Sequence, residues 1–515
     1  MKTRLLSCAI ALTTLLMAHA VAQAAETAAR PNVIFYLVDD MGWMDSTPYG
    51  SQYYDTPNIE RLARGGVRFT DAYACPLCSP TRASVLSGQY SARHGILSAT
   101  GHLPPQPAGH DFLPDSAPAN RAVITPESKN YLEPSQYTLA EALRDAGYRT
   151  AHIGKWHLGL TPPYWPEKQG FDIAFHCHPD PGPPGGYFSP YGVIPEGEPV
   201  GQTRVGTITD GPAGEYIVDR LADEAIRFID GAGEQPFYLN LWQYGVHGPW
   251  GHKAELTKRY VDRKDPRGLQ SNPIMVSMLK SVDDCLGRIL DHLDERGLAD
   301  NTIVMLMGDN GGNTHSNITD PNPAAKLQVE QIKDWRKWAG HLPPTNNAPL
   351  RMGKGTLYEG GTRVPLIARW PGKATAGAVR HDVVGAVDIY PTLCELVGVD
   401  LSASQKIDGV SFAKLLLDPD QKLDRVAYFN FFPGGKTGGV WVRSGDWKLI
   451  RFYSTGPSSL AKRELYNLGD DIGETNNLAD DNPAKVAELE ALIDAFLKDT
   501  NALEPIPNPA YARKP

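Results

Sequence analysis

Short apolar runs recur along this chain, and each stops abruptly at polar residues. The first is Asn32-Val33-Ile34-Phe35-Tyr36-Leu37-Val38, which ends at Asp39-Asp40. Almost every position in it is apolar, so it reads as a strand covered on both faces, as in a parallel sheet. Thr302 to Met307 repeats the pattern and ends in Gly308-Asp309-Asn310-Gly311-Gly312. Thr150–Ile153, Phe237–Trp242 and Val364–Trp370 are further strand candidates. Between and after them, apolar residues recur at helical spacing over Thr138–Ala146, Glu215–Asp230, Ile274–Glu295 and Ile389–Val397. Alternating strands and helices predict an α/β fold: a large, mostly parallel, doubly wound sheet sandwiched by helices.

Three stretches break this rhythm: Ser98–Ser135, His176–Gly214 and Asn313–Pro349, all rich in Pro, Gly, Asn and His. Loops this long in a compact domain are expected to form walls or lids of a site. From Arg425 the pattern changes again. Val440–Arg443 and Trp447–Arg451 read as a hairpin around Ser444-Gly445-Asp446, and Pro483–Lys498 as an amphipathic helix. The expected division is therefore a main α/β domain over 31–424 and a small α+β subdomain over 425–515, with an antiparallel sheet and a terminal helix.

The start of the chain reads as an export signal covering 1–24. Lys2 and Arg4 precede an apolar core from Leu5 to Met17, too short to span a bilayer comfortably, and Ala22-Gln23-Ala24 is a small-x-small cleavage site. No later segment is apolar for long enough to cross a membrane, so a soluble protein in the periplasm or secreted is expected. The chain has 515 residues, 41 % hydrophobic and 21 % charged, which is globular composition. Its formal net charge of −9 argues against a nucleic-acid partner, and it means that an anionic substrate must be drawn by a local basic cluster. Cys8 goes with the signal. Cys75, Cys78, Cys177, Cys285 and Cys394 leave an odd number in an oxidising compartment. Of these, Cys285 and Cys394 sit in apolar, helix-like contexts and read as buried thiols.

The chemistry begins at two strand ends. Asp39-Asp40 and Asp309-Asn310 offer four oxygen donors at the carboxyl ends of strands, where sites form in open α/β sheets. Adjacent acids repel unless a cation lies between them, or they cap the following helices. Two such pairs without Cys or His favour a hard cation, Ca²⁺ or Mg²⁺.

The most specific signal is Cys78-Ser79-Pro80-Thr81-Arg82, followed by Leu86-Ser87-Gly88. Here the chain resembles the formylglycine-dependent sulfatases, whose signature is Cys-x-Pro-x-Arg, with a Leu-x-Gly run in the helix that follows. Cys75 has Leu77 and Ser79 where the signature needs Pro and Arg, so Cys78 is the candidate. The competing reading of Cys75-x-x-Cys78 is a disulfide or redox pair. The resemblance extends from Pro31 to about Leu478 and implies an alkaline-phosphatase-like fold. It also implies that a separate maturation enzyme oxidises Cys78 to formylglycine, and that Cys78 joins Asp39, Asp40, Asp309 and Asn310 around the metal ion. Gly154-Lys155-Trp156-His157 matches the family's Gly-Lys-x-His segment, and His247-Gly248-Pro249 matches its His-x-Pro segment. Val246 stands where the family often has Pro. Lys354 opens a block, Lys354-Gly355 to Pro365, that matches Lys-Gly-x-x-Tyr-Glu-Gly-Gly-x-Arg-x-Pro. By resemblance Arg82 holds the nucleophile, Lys155 contacts nucleophile and sulfate, and His157 is the base on the sulfated intermediate. His247 and Lys354 bind sulfate and protonate the leaving oxygen.

An ordinary serine would trap sulfate as a stable ester. A hydrated aldehyde has two hydroxyls: one attacks sulfur, and deprotonating the other expels sulfate. The expected substrate is a small sulfate ester or, because Trp335 and Trp338 lie with His315 and His341 in the 313–349 insert, a sulfated saccharide. Loops closing over the site suggest action at a chain end. Two alternatives remain at this point: a phosphatase or phosphodiesterase of the same superfold, and an inactive glycan-binding relative.

Overall fold

The computed structural model describes residues 30–177, 186–191, 207–248, 250–315, 342–432, 438–453 and 462–511. The expected signal segment, Trp335, Trp338 and His341 lie outside them. In chain order the strands are β1 (Asn32–Val38), β2 (Val67–Tyr73), β3 (Val123–Ile124), β4 (Arg149–Lys155), β5 (Ile173–Cys177), β6 (Phe237–Trp242), β7 (Thr302–Gly308) and β8 (Arg363–Arg369). They continue with β9 (Ala378–Arg380), β10 (Val384–Gly385), β11 (Val426–Phe431), β12 (Gly439–Ser444), β13 (Trp447–Phe452), β14 (Arg463–Asn467) and β15 (Ile506–Pro507).

The main sheet runs β10-β2-β8-β7-β1-β6-β4-β5, with β9 also paired to β2. Only β8 runs against its neighbours, β2 and β7. The sheet is mostly parallel, as the apolar runs imply. All seven residues of β1 are buried. Their side chains alternate between two cores: Ile34, Tyr36 and Val38 face one layer of helices, Val33, Phe35 and Leu37 the other. The Ile217–Ala232 and Pro273–Glu295 helices cover the first face, and the Cys78–Ser87, Leu139–Asp145 and Ile389–Val397 helices the second. The Leu139–Asp145 helix starts at a capping box, with the Thr138 hydroxyl and Glu141 carboxylate each accepting from the other's backbone N–H.

This topology fixes the site. β7, β1, β6 and β4 are parallel neighbours, so their carboxyl ends share one edge. Because β8 is reversed, the loop entering it arrives at that same edge.

The C-terminal part is larger than a hairpin. β11-β12-β13-β14 form a four-stranded antiparallel sheet. One face packs on the Pro483–Asp499 helix through Val440, Val442, Leu449, Leu465, Leu489 and Ile493. Its other face packs Trp441, Ile450 and Tyr466 against Tyr73, Cys75 and Leu357 of the main body. At this seam the Lys448 ammonium is fully buried and donates to Glu359 Oε1 at 2.8 Å and Glu474 Oε1 at 2.9 Å. Arg363 and Arg443 both pair with Asp71, at 2.8 and 2.7 Å. Burial pushes Glu359 up, but Lys448, Arg363 and Arg443 outweigh it and hold it down at about 2. Burial and the neighbouring Glu359 charge push Glu474 up to about 7 despite Lys448.

Removing one partner of a buried ion pair leaves an uncompensated charge and costs about 3–5 kcal/mol. Lys448→Met is accordingly expected to lower the unfolding free energy by about that much in urea denaturation followed by tryptophan fluorescence. An unchanged midpoint would show that the seam contributes no stability.

Candidate active site

The strands β1, β2, β4, β6 and β7, and the loop entering β8, deliver polar residues to the common edge. Asp39 and Asp40 follow β1, Asp309 and Asn310 follow β7, and Lys155 ends β4 with His157 two residues on. His247 follows β6 and Lys354 lies in the loop entering β8. Cys78 is the first residue of its helix, after the turn that leaves β2. The positive end of that helix favours a developing negative charge there. All the expected site residues thus come to the carboxyl-end face of the sheet.

Cation and carboxylate interlock. The Arg82 guanidinium, with no exposed surface, donates to Asp309 Oδ2 at 2.8 Å and to the Lys155 carbonyl at 2.9 Å, and lies 3.4 Å from Asp39 Oδ2. It also stacks over the Trp242 ring, 5.0 Å from its centre. The Lys155 ammonium pairs with Asp39 Oδ2, and the Lys354 ammonium with Asp40 Oδ1. Asp40 Oδ1 also accepts from Asn310 Nδ2 at 2.9 Å. Burial alone would raise the Asp40 carboxyl, but Lys354 and His247 hold it well below the ordinary carboxylate range. Burial lowers Lys354, yet Asp40 beside it wins and keeps it a cation far above pH 7. Burial and the Asp39 charge push Asp309 up to about 6, against Arg82 and Lys155.

Three oxygens stand apart from this web. Asp39 Oδ1, Asp40 Oδ2 and Asn310 Oδ1 are buried without a hydrogen-bond partner. Unpartnered buried acceptors are costly, and a hard cation would satisfy all three. Ligand atoms of Asp39, Asp40 and His247 lie within 4.8 Å of one another. Asp309, by contrast, turns Oδ2 to Arg82 and Oδ1 to the Asp40 N–H at 3.1 Å. The donor set fits a divalent ion held mainly by oxygens.

Cys78 is 1 % exposed, and its Sγ lies 3.2 Å from His157 Nδ1. Burial raises its thiol pKa against the pull of Lys155 and Lys354. Cys75 is a free, buried thiol and not the disulfide partner of Cys78; Cys285 and Cys394 are likewise free and buried. Burial drives His157 well below its ordinary value and His247 down to about 3. Both rings are therefore held neutral near pH 7, beside the charged Lys354.

Asp40 and His157 adopt left-handed backbone conformations, φ 58° and 60°. Such geometry costs on the order of 1–3 kcal/mol in a residue with a Cβ and persists where the surroundings enforce it. One residue here was not singled out from the sequence. His102, in the 98–135 loop, places Nδ1 3.0 Å from His157 Nε2.

The strand edge thus gathers acids, lysines and histidines around the buried Cys78. Residues 31–399 match the Sulfatase family, and the chain belongs to it. Residues 352–501 match the region described as N-sulphoglucosamine sulphohydrolase, C-terminal. The chain is a sulfuric ester hydrolase, and the phosphatase alternative gives way to it. A protein named "Sulfatase" from Formosa agariphila is 30 % identical, over 92 % of this chain and 88 % of that one. Human N-acetylgalactosamine-6-sulfatase is 30 % identical over 78 % of this chain and 68 % of its own. The structure of Ps i-CgsB in complex with k-i-k-neocarrahexaose has the same fold, at TM-score 0.70 and 24 % identity, covering 94 % of this chain and 95 % of that one. No described helix is long and apolar enough to cross a membrane.

If the three unpartnered oxygens are cation ligands, Ca²⁺ at about 100 times its Kd should stabilise the protein by about 2.7 kcal/mol, read as a rise in Tm. Asp39→Asn should lose most of that rise. An equal rise in the variant would place the ion elsewhere.

Proposed function

We propose that this sulfatase works through Cys78 converted to formylglycine and through a Ca²⁺ ion held by Asp39, Asp40, Asp309 and Asn310. The observation that carries this reading is the set of partnerless buried oxygens on Asp39, Asp40 and Asn310, in the cluster of acids and lysines whose charges reach Cys78. Oxygen donors from several side chains suit Ca²⁺, which takes six to eight of them, better than Mg²⁺, which keeps its waters. When present, the hydrated aldehyde supplies an oxygen nucleophile with a second hydroxyl, and the ion supplies positive charge at the nucleophile and sulfate oxygens.

The chain's own groups do the rest. Lys155 and Lys354 meet the sulfate oxygens with ammonium groups aimed from opposite carboxylates. Arg82, braced by Asp309, keeps its charge beneath position 78. Lys354, with His247 once sulfate has raised it, gives a proton to the departing alcohol. His157 Nδ1, already within reach of position 78, takes the proton whose removal expels sulfate.

The substrate we propose is a sulfated saccharide. The relatives' names support this reading: N-acetylgalactosamine-6-sulfatase is among them. The N-terminal segment, with Lys2, Arg4 and the Leu5–Met17 core, supports export to the periplasm or beyond. Export and a maturation enzyme acting on Cys78 are part of the same reading.

Protein produced with a maturation enzyme should yield a Cys78 peptide whose mass has fallen by the thiol-to-aldehyde difference. It should release sulfate from a chromogenic aryl sulfate, and a chelator should stop the release. Cys78→Ser should remain folded and lose turnover by several orders of magnitude. An unmodified Cys78 in a fully active enzyme would sink the proposal.

A further inference from the structure

The loop carrying His102 is built onto the active site with little tolerance. A Cβ on Gly101 would sit 1.8 Å from the His157 carbonyl oxygen, so only glycine lets the two backbones meet there. The Ser79 hydroxyl donates to that carbonyl at 2.8 Å and accepts from the Gly101 N–H at 3.3 Å. The Gly159 N–H donates to the Gly101 carbonyl at 3.1 Å. Further out, β3 of this loop pairs with β15, and Asn508 Nδ2 donates to the carbonyls of Ala117, Pro118 and Arg121. His102 is therefore held in place from both sides. It is half-buried, with its ring 5.2 Å from the His157 ring and tilted 30°.

His157 thus has a partner on each nitrogen: Cys78 Sγ at 3.2 Å on Nδ1, and His102 Nδ1 at 3.0 Å on Nε2. A neutral imidazole has one N–H, so one of these bonds is donated and the other accepted. A buried thiol keeps its proton and is a poor acceptor. Of the two consistent assignments, the one that suits a base has Cys78 donating to His157 Nδ1 and His157 Nε2–H donating to His102 Nδ1. In that tautomer Nδ1 of His157 carries a lone pair facing position 78.

We propose that His102 is a positioning residue for the sulfatase reaction: by accepting the Nε2 proton of His157, it keeps Nδ1 of His157 free to take a proton from the group at position 78. The inference rests on His157 being the base proposed above. When Nδ1 takes that proton, His157 becomes an imidazolium with a proton on each nitrogen. The Nε2 proton stays in the bond to His102, whose lone pair helps bear the new charge. His102 plays the part that a carboxylate plays behind the histidine of a hydrolytic triad, without adding negative charge beside an anionic substrate.

The test uses the matured, Ca²⁺-loaded enzyme and an aryl sulfate, with the modification at Cys78 confirmed by mass in every variant. His102→Leu removes the acceptor and should lower kcat by about ten- to a hundred-fold with KM nearly unchanged. His102→Asn can offer its amide oxygen to the same Nε2–H and should recover most of the loss. Wild-type kcat in His102→Leu would overturn the proposal. So would a His102→Asn variant as slow as His102→Leu, or a raised KM with normal kcat, which would make His102 a substrate contact. His157→Ala separates the two readings: if it is fully active, the base assignment fails first.

Discussion

Three carboxylates buried at one sheet edge are tolerable only because three cations are buried or half-buried with them. Asp39, Asp40 and Asp309 face Lys155, Lys354 and Arg82, and the charges cancel. A divalent ion added to that balanced set leaves the site positive. With such an ion bound, a chain whose net charge is −9 would present an attractive field at one point, suited to an anionic ester. The sheet makes this arrangement possible by ending parallel neighbours at one edge, and the reversed β8 brings Lys354 to the same place.

Much of this was legible in the sequence because it is local. The boundaries of β1 and β6 agree with the expected runs, since strands buried on both faces are continuous apolar blocks bounded by polar residues. The Ile389–Val397 helix was equally plain from its apolar spacing. The residues singled out around Asp39, Cys78, Lys155, His247, Asp309 and Lys354 come to one face, because each sits in a short contiguous motif at or just beyond a strand end. Ca²⁺ binding, the modification of Cys78 and the part each residue plays remain the proposals made above.

What escaped notice depends on long-range contact. β2 alternates Val67 and Phe69 with Arg68 and Thr70, a weaker pattern than the solid blocks. The reversal of β8 leaves no mark in its composition. β11 and β14 flank the visible hairpin, but only their pairing shows that the hairpin is half of a sheet. His102 had no motif at all. Its one signal was the glycine before it, in a loop long enough to be suspected of function. Glu474 carried no local mark as a partner of Lys448.

The seam around Lys448 has a consequence for the order of events in the cell. Glu359 and Arg363 sit just beyond Lys354; Glu359 takes a counter-charge from Lys448 of β13, which Glu474 shares, while Arg363 pairs with Asp71 of β2, as does Arg443 of β12. The charge cluster that joins this loop to the C-terminal sheet is complete only once β13 and Glu474 have been made. At about 5–20 residues per second, the stretch from Cys78 to Lys448 takes on the order of tens of seconds to emerge. During that interval Cys78 is a side chain on an unfinished scaffold; afterwards it is sealed beneath one. Any enzyme that must reach its sulfur is therefore in a race against folding, and the last quarter of the sequence acts as the clock.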